Sequence, residues 1–201
     1  RPLAGRGALA LPAELGPACA WIVATGGADF SLRALQDAVA SAGDEAWPLL
    51  PVMLAVGVFE KRTRETARAI LAVQATAPDL TTDLFLREID YGPDENRPEA
   101  DVIARIGQPA LDAWERDSIP PPGWRVDPAA IIGNWQELFS DLAESQGNHL
   151  IVTSNGIARF ALAAANAHRP DAKLPTGGYG VIELGPDPVL LHWNLRPPVA
   201  P

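Results

Sequence analysis

Short apolar runs alternate along this chain with longer segments in which apolar residues recur at helical spacing. Because each such strand is followed by a helix that can return the chain, the alternation predicts an α/β fold with a mainly parallel sheet and helices on both faces. The strand and helix pairs are Trp21–Ala24 with Ser31–Ser41, Val52–Val58 with Lys61–Thr76, and Leu150–Thr153 with Ile157–Ala167.

Two further segments complete the predicted organisation. Val181–Leu184 and Val189–Trp193 flank a Gly-Pro-Asp-Pro turn, which favours a closing hairpin or edge strands. Amphipathic helical stretches at 99–116 and 128–144 flank a proline-rich segment at 120–124 that cannot be helical. We therefore expect one domain over residues 1–201, with a helical insertion at about 90–135.

Composition narrows the possible partners and the compartment. A net charge of −9 argues against nonspecific nucleic-acid binding, which requires basic surface. The longest apolar run, Trp47–Phe59, is shorter than the roughly 20 residues that span a bilayer. The single cysteine, Cys19, excludes an internal disulfide and a cysteine-based zinc site, and it fits a reducing compartment. We expect a cytoplasmic protein without metal or cofactor, and the oligomeric state stays open.

The junction at His149–Phe160 carries the first candidate site. Its apolar strand runs into a Ser-Asn-Gly turn that opens a helix, so Asn155 falls at the helix start and Gly156 allows a close backbone approach. The first N–H groups of a helix attract phosphate or carboxylate. The junction predicts an anion site, and an ordinary strand-to-helix cap is the alternative.

Two charged residues are the next candidates. Arg62 lies early in a predicted helix, where the helix dipole favours anions, so it can point at a bound oxyanion; a solvated helix face with Lys61 paired to Glu65 is the alternative. Glu88 follows a short apolar run and is expected at a strand end. There it can act as a general acid if desolvation raises its proton affinity, or it is an exposed cap or ion-pair partner.

Four blocks of the chain resemble the histidine phosphatase superfamily, also called phosphoglycerate-mutase-like. The resemblance covers residues 52–197, and it implies a three-layer α/β sandwich whose members form a phosphohistidine at an Arg-His-Gly motif on the first strand. The blocks, in the family's order and spacing, are RTRETA at 62–67, LREIDYG at 86–92, VTSNGIARFAL at 152–162 and KLPTGGYGVIE at 173–183.

The resemblance also implies roles for individual residues. Arg62 would bind the phosphoryl group, Glu88 would donate a proton to the leaving group, and Asn155 would stand where most members carry a second active-site histidine. Residues 90–135 would form the lid that shapes substrate specificity. The implied ligand is a phosphorylated small molecule or inorganic phosphate.

The chain departs from the family at the first strand, because no Arg-His-Gly occurs in its 201 residues. One alignment takes Trp21–Phe30 as that strand and places Ala24, Thr25 and Gly26 at the motif. The other takes Arg1–Leu15 as the segment that follows the first strand, so that the nucleophile strand would precede Arg1. A threonine hydroxyl attacks phosphate only with an adjacent base, and the sequence shows none.

No other histidine is expected to replace the missing one. His149 lies on the same strand as the junction, roughly 20 Å from Asn155 at about 3.3 Å per residue. His168 should be exposed after the helix, and His192 precedes Trp193 in a late strand without a partner pattern.

Three hypotheses follow. The first is an active phosphomonoesterase acting on a small phosphorylated metabolite. The second is an impaired relative that keeps an anion pocket and works as a binding or regulatory module. The third is a nucleotide-binding α/β protein that uses the loop at 23–27, although that loop lacks a full glycine fingerprint. In the second hypothesis the pocket is formed by Arg62, Asn155, Gly156 and Gly26.

Overall fold

A computed structural model describes residues 18–25, 54–57, 61–71, 80–144, 147–175 and 178–195. In these ranges the strands form one six-stranded sheet in the order β3-β2-β4-β1-β5-β6. The strands are β1 Ala18–Thr25, β2 Leu54–Gly57, β3 Leu80–Asp83, β4 Gly147–Ser154, β5 Tyr179–Glu183 and β6 Val189–Leu195.

The strand directions confirm the predicted sheet. β3, β2, β4 and β1 run parallel to their neighbours, whereas β5 is antiparallel to β1 and β6 is antiparallel to β5. The predicted hairpin at the end of the chain is therefore the β5–β6 pair. β1 and β4 are central and pair along their whole lengths, from Ala18 opposite Gly147 to Thr25 opposite Ser154.

Two of the predicted helices are each divided into two shorter helices. Gly107 has a φ of +81° and divides the stretch predicted as one helix at 99–116. The helix predicted at 157–167 is two short helices on either side of Arg159, and the one predicted at Ser31–Ser41 lies outside the described residues. The helices are α1 Lys61–Leu71, α2 Glu99–Ile106, α3 Gln108–Asp117, α4 Pro128–Ala143, α5 Asn155–Ala158 and α6 Phe160–Ala164.

The start of α4 has a local cause in the sequence. Asp127 caps the helix by accepting a hydrogen bond of 3.1 Å from the backbone N–H of Ala130, and Pro128 takes the first position, where no N–H is needed. No helix in the described ranges is long and apolar enough to cross a membrane.

The core lies between the sheet and the helices that pack on it. α1 packs against β1, β2 and β4, while α4 and α5 pack against β1. The indole of Trp135 is fully buried, and its N–H donates to the carbonyl of Ile157 at 3.1 Å. This hydrogen bond joins α4 to α5, the helix that follows β4, and so stabilises the position of α5.

Gly180 gives a stability test of the central sheet. A Cβ atom at this position would overlap the six-membered ring of Trp193, which is buried and donates its indole N–H to the carbonyl of Ala172 at 3.1 Å. Since a rigid ring cannot yield as a flexible side chain can, we expect Gly180→Ala to destabilise the protein by about 1–3 kcal/mol or more in chemical denaturation.

The matched control is Gly133→Ala in the exposed middle of α4, where a Cβ meets nothing within 4 Å. This change should stabilise the protein by about 0.5–1 kcal/mol, because alanine loses less backbone entropy than glycine in a helix. A similar loss of stability in both variants would contradict the packing described here.

Candidate functional site

The site lies where the two central parallel strands end. Thr25 is the last residue of β1 and is opposite Ser154, so the backbone at Thr25 lies beside the residue that precedes Asn155. Arg62 is in the first turn of α1, the helix that packs on β1, β2 and β4. The side chains of Thr25 and Arg62, and all of Gly26, lie outside the described residues.

Asn155 is half-buried at the start of α5, and its amide has a defined orientation. The Oδ1 atom accepts a hydrogen bond of 3.1 Å from the backbone N–H of Leu174. Because the oxygen is engaged there, the Nδ2 group is the part of the amide that can donate to a ligand.

Gly156 allows Glu88 to approach the start of α5. A Cβ on Gly156 would lie 2.7 Å from Glu88 Oε1 and 3.0 Å from Ile89 Cγ1, both closer than ordinary contact. The expectation that Glu88 sits at a strand end is wrong: β3 ends at Asp83, and Glu88 lies in the loop beyond it. The loop, rather than a strand, brings this carboxylate to Asn155.

Tyr91 holds the carboxylate in this place. Its hydroxyl donates to Glu88 Oε1 at 3.1 Å, and the backbone N–H of Ile89 lies 3.3 Å from the same oxygen. Burial, together with the charge of Glu88, raises the pKa of Tyr91 well above its ordinary value. The phenol therefore stays a donor over the physiological pH range.

Within the insertion at 90–135, a chain of contacts connects Tyr91 to α2. The ring of Tyr91 packs edge-to-face on Trp124 with 4.7 Å between ring centres, and the Trp124 indole donates to Asp94 Oδ2 at 2.7 Å. Asp94 is buried and forms a two-pronged ion pair with Arg105 of α2. The position of Glu88 is thus fixed by residues distant from the sheet.

Arg159 links the site to α3. Its side chain is fully buried, with the guanidinium 4.2 Å from the centre of the Trp114 ring and Nη1 donating 2.5 Å to the Trp114 carbonyl. Glu115 lies 3.6 Å from Arg159 and 3.3 Å from Lys173. Burial lowers the pKa of Arg159, the largest effect on it, while the charge of Glu115 opposes that shift.

A cavity of about 740 Å³ opens between Asn155 and the insertion. Six carboxylates and three cations line it. No group of three or more His, Cys, Asp or Glu in the described ranges is placed to hold a metal ion. The charged lining residues are Glu88, Asp90, Asp94, Glu95, Glu99 and Glu115, with Arg87, Arg97 and Lys173.

The described histidines do not enter this cavity. His149 is buried in β4 opposite Ala20, away from the strand end at Ser154. His168 and His192 are exposed, as the sequence predicts for His168.

Tyr91 and Arg159 are the site residues that sequence reasoning missed. A signal for Tyr91 was present, since it follows Glu88 within the same block of sequence. Arg159 interrupts an otherwise apolar stretch at 156–165, which is the mark of a buried charge or of a break in the helix.

Comparison with known proteins identifies both the family and the fold. A sequence model of the histidine phosphatase superfamily, branch 1, matches residues 58–194. This range leaves out β1. A comparison with curated protein sequences gives no significant match.

Solved structures with the same fold have low sequence identity. The chain is similar to a mycobacterial glucosyl-3-phosphoglycerate phosphatase, 17% identical with a TM-score of 0.67 over 89% of this chain and 99% of that one. The structure of the same enzyme with inorganic phosphate is 16% identical, with a TM-score of 0.70 over 90% of this chain and 99% of that one. Alpha-ribazole phosphatase from Shigella flexneri is 16% identical, with a TM-score of 0.61 over 89% of this chain and 96% of that one. These matches confirm the phosphoglycerate-mutase-like fold.

The buried carboxylate of Asp94 gives a pH-dependent test of the insertion. The bonds from Arg105, the largest effect, and from Trp124 hold the pKa of Asp94 below its usual value. A lowered pKa means that the stabilisation is present above the unfolded-state value near 4 and is lost as the pH falls through the folded-state value. We expect Asp94→Asn to lower the melting temperature by a few degrees at pH 7 and by progressively less below pH 4.

The control is Asp117→Asn, which removes a comparable but exposed pair with Arg116. Exposed ion pairs contribute little to stability, so the melting temperature of this variant should stay within about one degree of wild type both at pH 7 and below pH 4. A melting difference for Asp94→Asn that does not change with pH would contradict the role of the ionised carboxylate.

Proposed function

The chain belongs to the histidine phosphatase superfamily, and we propose that it binds inorganic phosphate and phosphomonoesters between Asn155 and Glu88 without forming a phosphohistidine. One observation carries the proposal: β1 pairs with β4 so that Thr25 lies opposite Ser154, the residue before Asn155, at the end of the central strands. Thr25 and Asn155 are at the positions at which the resemblance implies two histidines. Neither residue has an imidazole.

The position of β1 supports the alignment in which Trp21–Phe30 is the family's first strand. β1 already fills the central place between β4 and β5. Under this alignment Ala24, Thr25 and Gly26 occupy the Arg-His-Gly positions. The alternative alignment would need a different strand in that place.

The chemistry of these residues favours binding over turnover. A threonine hydroxyl is a weak nucleophile unless a neighbouring base removes its proton. Asn155 can donate a hydrogen bond to a phosphoryl oxygen, but it cannot carry the positive charge that stabilises a transferring phosphoryl group. The covalent route through a phosphohistidine is therefore lost, while hydrogen-bond donors to an anion remain.

The remaining protein groups at this site are suited to contact the oxygen atoms of a phosphoryl group. Asn155 offers Nδ2 as a donor, and Gly156 is the second residue of α5. Along the sequence, Arg62 follows β2 and Gly26 follows β1. The mycobacterial glucosyl-3-phosphoglycerate phosphatase with this fold was solved with inorganic phosphate, which supports a phosphate ligand here. The insertion at 90–135 would act as the lid over the ligand.

An active phosphomonoesterase is the second candidate, and the arrangement around Glu88 favours it. Tyr91 and Gly156 hold the carboxylate beside Asn155, where the family's proton donor is expected. The similar solved structures are phosphatases. The nucleotide-binding alternative depends on glycines at 26–27, which lie outside the described residues.

The two candidates are separated by turnover and binding measured together. We expect the full chain to show no hydrolysis of p-nitrophenyl phosphate above buffer between pH 4 and 9, yet to bind inorganic phosphate in calorimetric titration. Arg62→Ala should weaken that binding by about tenfold, because a charge-assisted hydrogen bond is lost. Wild-type turnover that Arg62→Ala abolishes would overturn the impaired site and establish the phosphomonoesterase.

A restored variant supplies the positive control for the same assay. Ala24→Arg, Thr25→His and Asn155→His together return the family's residues to the positions proposed for them. We expect this triple variant to gain measurable hydrolysis of p-nitrophenyl phosphate. A folded triple variant that binds phosphate but stays inactive would contradict the proposed placement of the first strand.

Asn155→Asp tests the predicted role of the amide with almost no change in shape. The carboxylate still accepts the hydrogen bond from Leu174, but the Nδ2 donor is replaced by negative charge. We expect an unchanged melting temperature and a loss of at least about tenfold in phosphate affinity, since like charges repel at close range. Gln136→Glu on the exposed surface of α4 makes the same charge change and should leave the affinity unaltered.

A further inference from the structure

The cavity beside Asn155 and Glu88 is larger than a phosphate ion needs. Its volume of about 740 Å³ lies within the range of about 300–1,000 Å³ typical of pockets that bury an organic ligand. The space extends from the proposed phosphate site to α2 and α3 of the insertion. A ligand that fills it must carry a sizeable organic group on the phosphate.

Part of the otherwise largely polar wall of this space is apolar and includes an aromatic ring. Val102 of α2 and Leu111 of α3 line it together with Trp124, which is partly buried. Trp124 is fixed on several sides, since it packs edge-to-face on Tyr91 and Trp114 and its indole N–H is bound by Asp94. A ring that is already immobile loses little entropy when a ligand stacks on it.

The charges around the cavity do not suit a second anionic group. Its six carboxylates outnumber the three cations in its lining. Three of the six carboxylates already form ion pairs: Asp94 with Arg105, Asp90 with Arg125, and Glu115 with both Arg159 and Lys173. The described lining therefore carries no surplus of positive charge with which to hold a further phosphate or carboxylate.

We infer that the natural ligand is a phosphomonoester of an uncharged alcohol that contains a ring, and that this ring stacks on Trp124 while the phosphate sits at Asn155. The inference rests on the proposed phosphate site and adds the class of the organic group. A flat aromatic ring and the apolar face of a sugar ring are both able to stack on an indole.

Calorimetric titration with a panel of ligands tests the inference. The panel is inorganic phosphate, glycerol 3-phosphate, phenyl phosphate, glucose 6-phosphate and 2,3-bisphosphoglycerate. We expect one of the two ring esters to bind at least about tenfold more tightly than glycerol 3-phosphate, and the preferred one distinguishes an aromatic from a sugar ring. The bisphosphate should bind no more tightly than glycerol 3-phosphate.

The outcomes separate this inference from the proposal on which it rests. Binding of inorganic phosphate with equal affinities for the ring esters and glycerol 3-phosphate would overturn the inference alone. Tightest binding of the bisphosphate would overturn it as well. Failure of every ligand, including inorganic phosphate, would overturn the proposed function and the inference with it.

Two variants test whether the apolar part of the cavity wall causes the preference for a ring ester. Trp124→Leu should reduce the ratio of affinities between the preferred ring ester and glycerol 3-phosphate to less than about threefold. Because the indole also packs on Tyr91, Leu111→Asp provides an independent change at a second, half-buried residue of the wall and should reduce the ratio similarly. The control is Ile119→Ala, an exposed residue outside the cavity, which should keep the full ratio. A ratio unaffected in both wall variants would overturn the assignment.

Discussion

The parallel pairing of β1 with β4 is the constraint on which the rest of this structure depends. Both strands are central, and their hydrogen-bonded register ends with Thr25 opposite Ser154. Since the carboxyl ends of parallel strands meet at one edge of the sheet, the turn after β4 and the end of β1 must face the same space. A residue at either end is placed there by the sheet, whatever chemistry it has.

What surrounds that edge comes from outside the sheet. Glu88 reaches Gly156 from a loop after an edge strand, and Tyr91 holds it by a hydrogen bond. Through Trp124 and Asp94 this contact continues into the insertion. A ligand that contacts both Asn155 and the insertion would therefore touch the two ends of one connected network of contacts.

One cation is fully buried beside the site of this acidic chain. The chain carries a net charge of −9, and the buried Arg159 directly follows the end of α5. Its charge is compensated by the Trp114 ring and carbonyl and by Glu115. Removing one partner of such a buried charge is costly, so these contacts fix α3 against the end of the central strands.

The sequence by itself determined the α/β class, the β5–β6 hairpin, the junction after β4 and the candidate residues Glu88, Asn155 and Gly156. These features depend on local patterns: apolar runs of strand length, turn residues, and a glycine where the backbone must approach a neighbour. Local spacing failed for the helix predicted at 157–167, which is divided at Arg159, and for the stretch divided by Gly107.

Only the tertiary structure decided that Glu88 is held in a loop by Tyr91, that Arg159 is buried against Trp114, and that Trp124 lines a cavity beside Asn155. Each of these contacts joins a side chain to an element whose position depends on the packing of the whole sheet. Sequence spacing fixes which residues share a face of one helix or strand, but it does not fix which faces of distant elements meet, because that is set by the packing of the core.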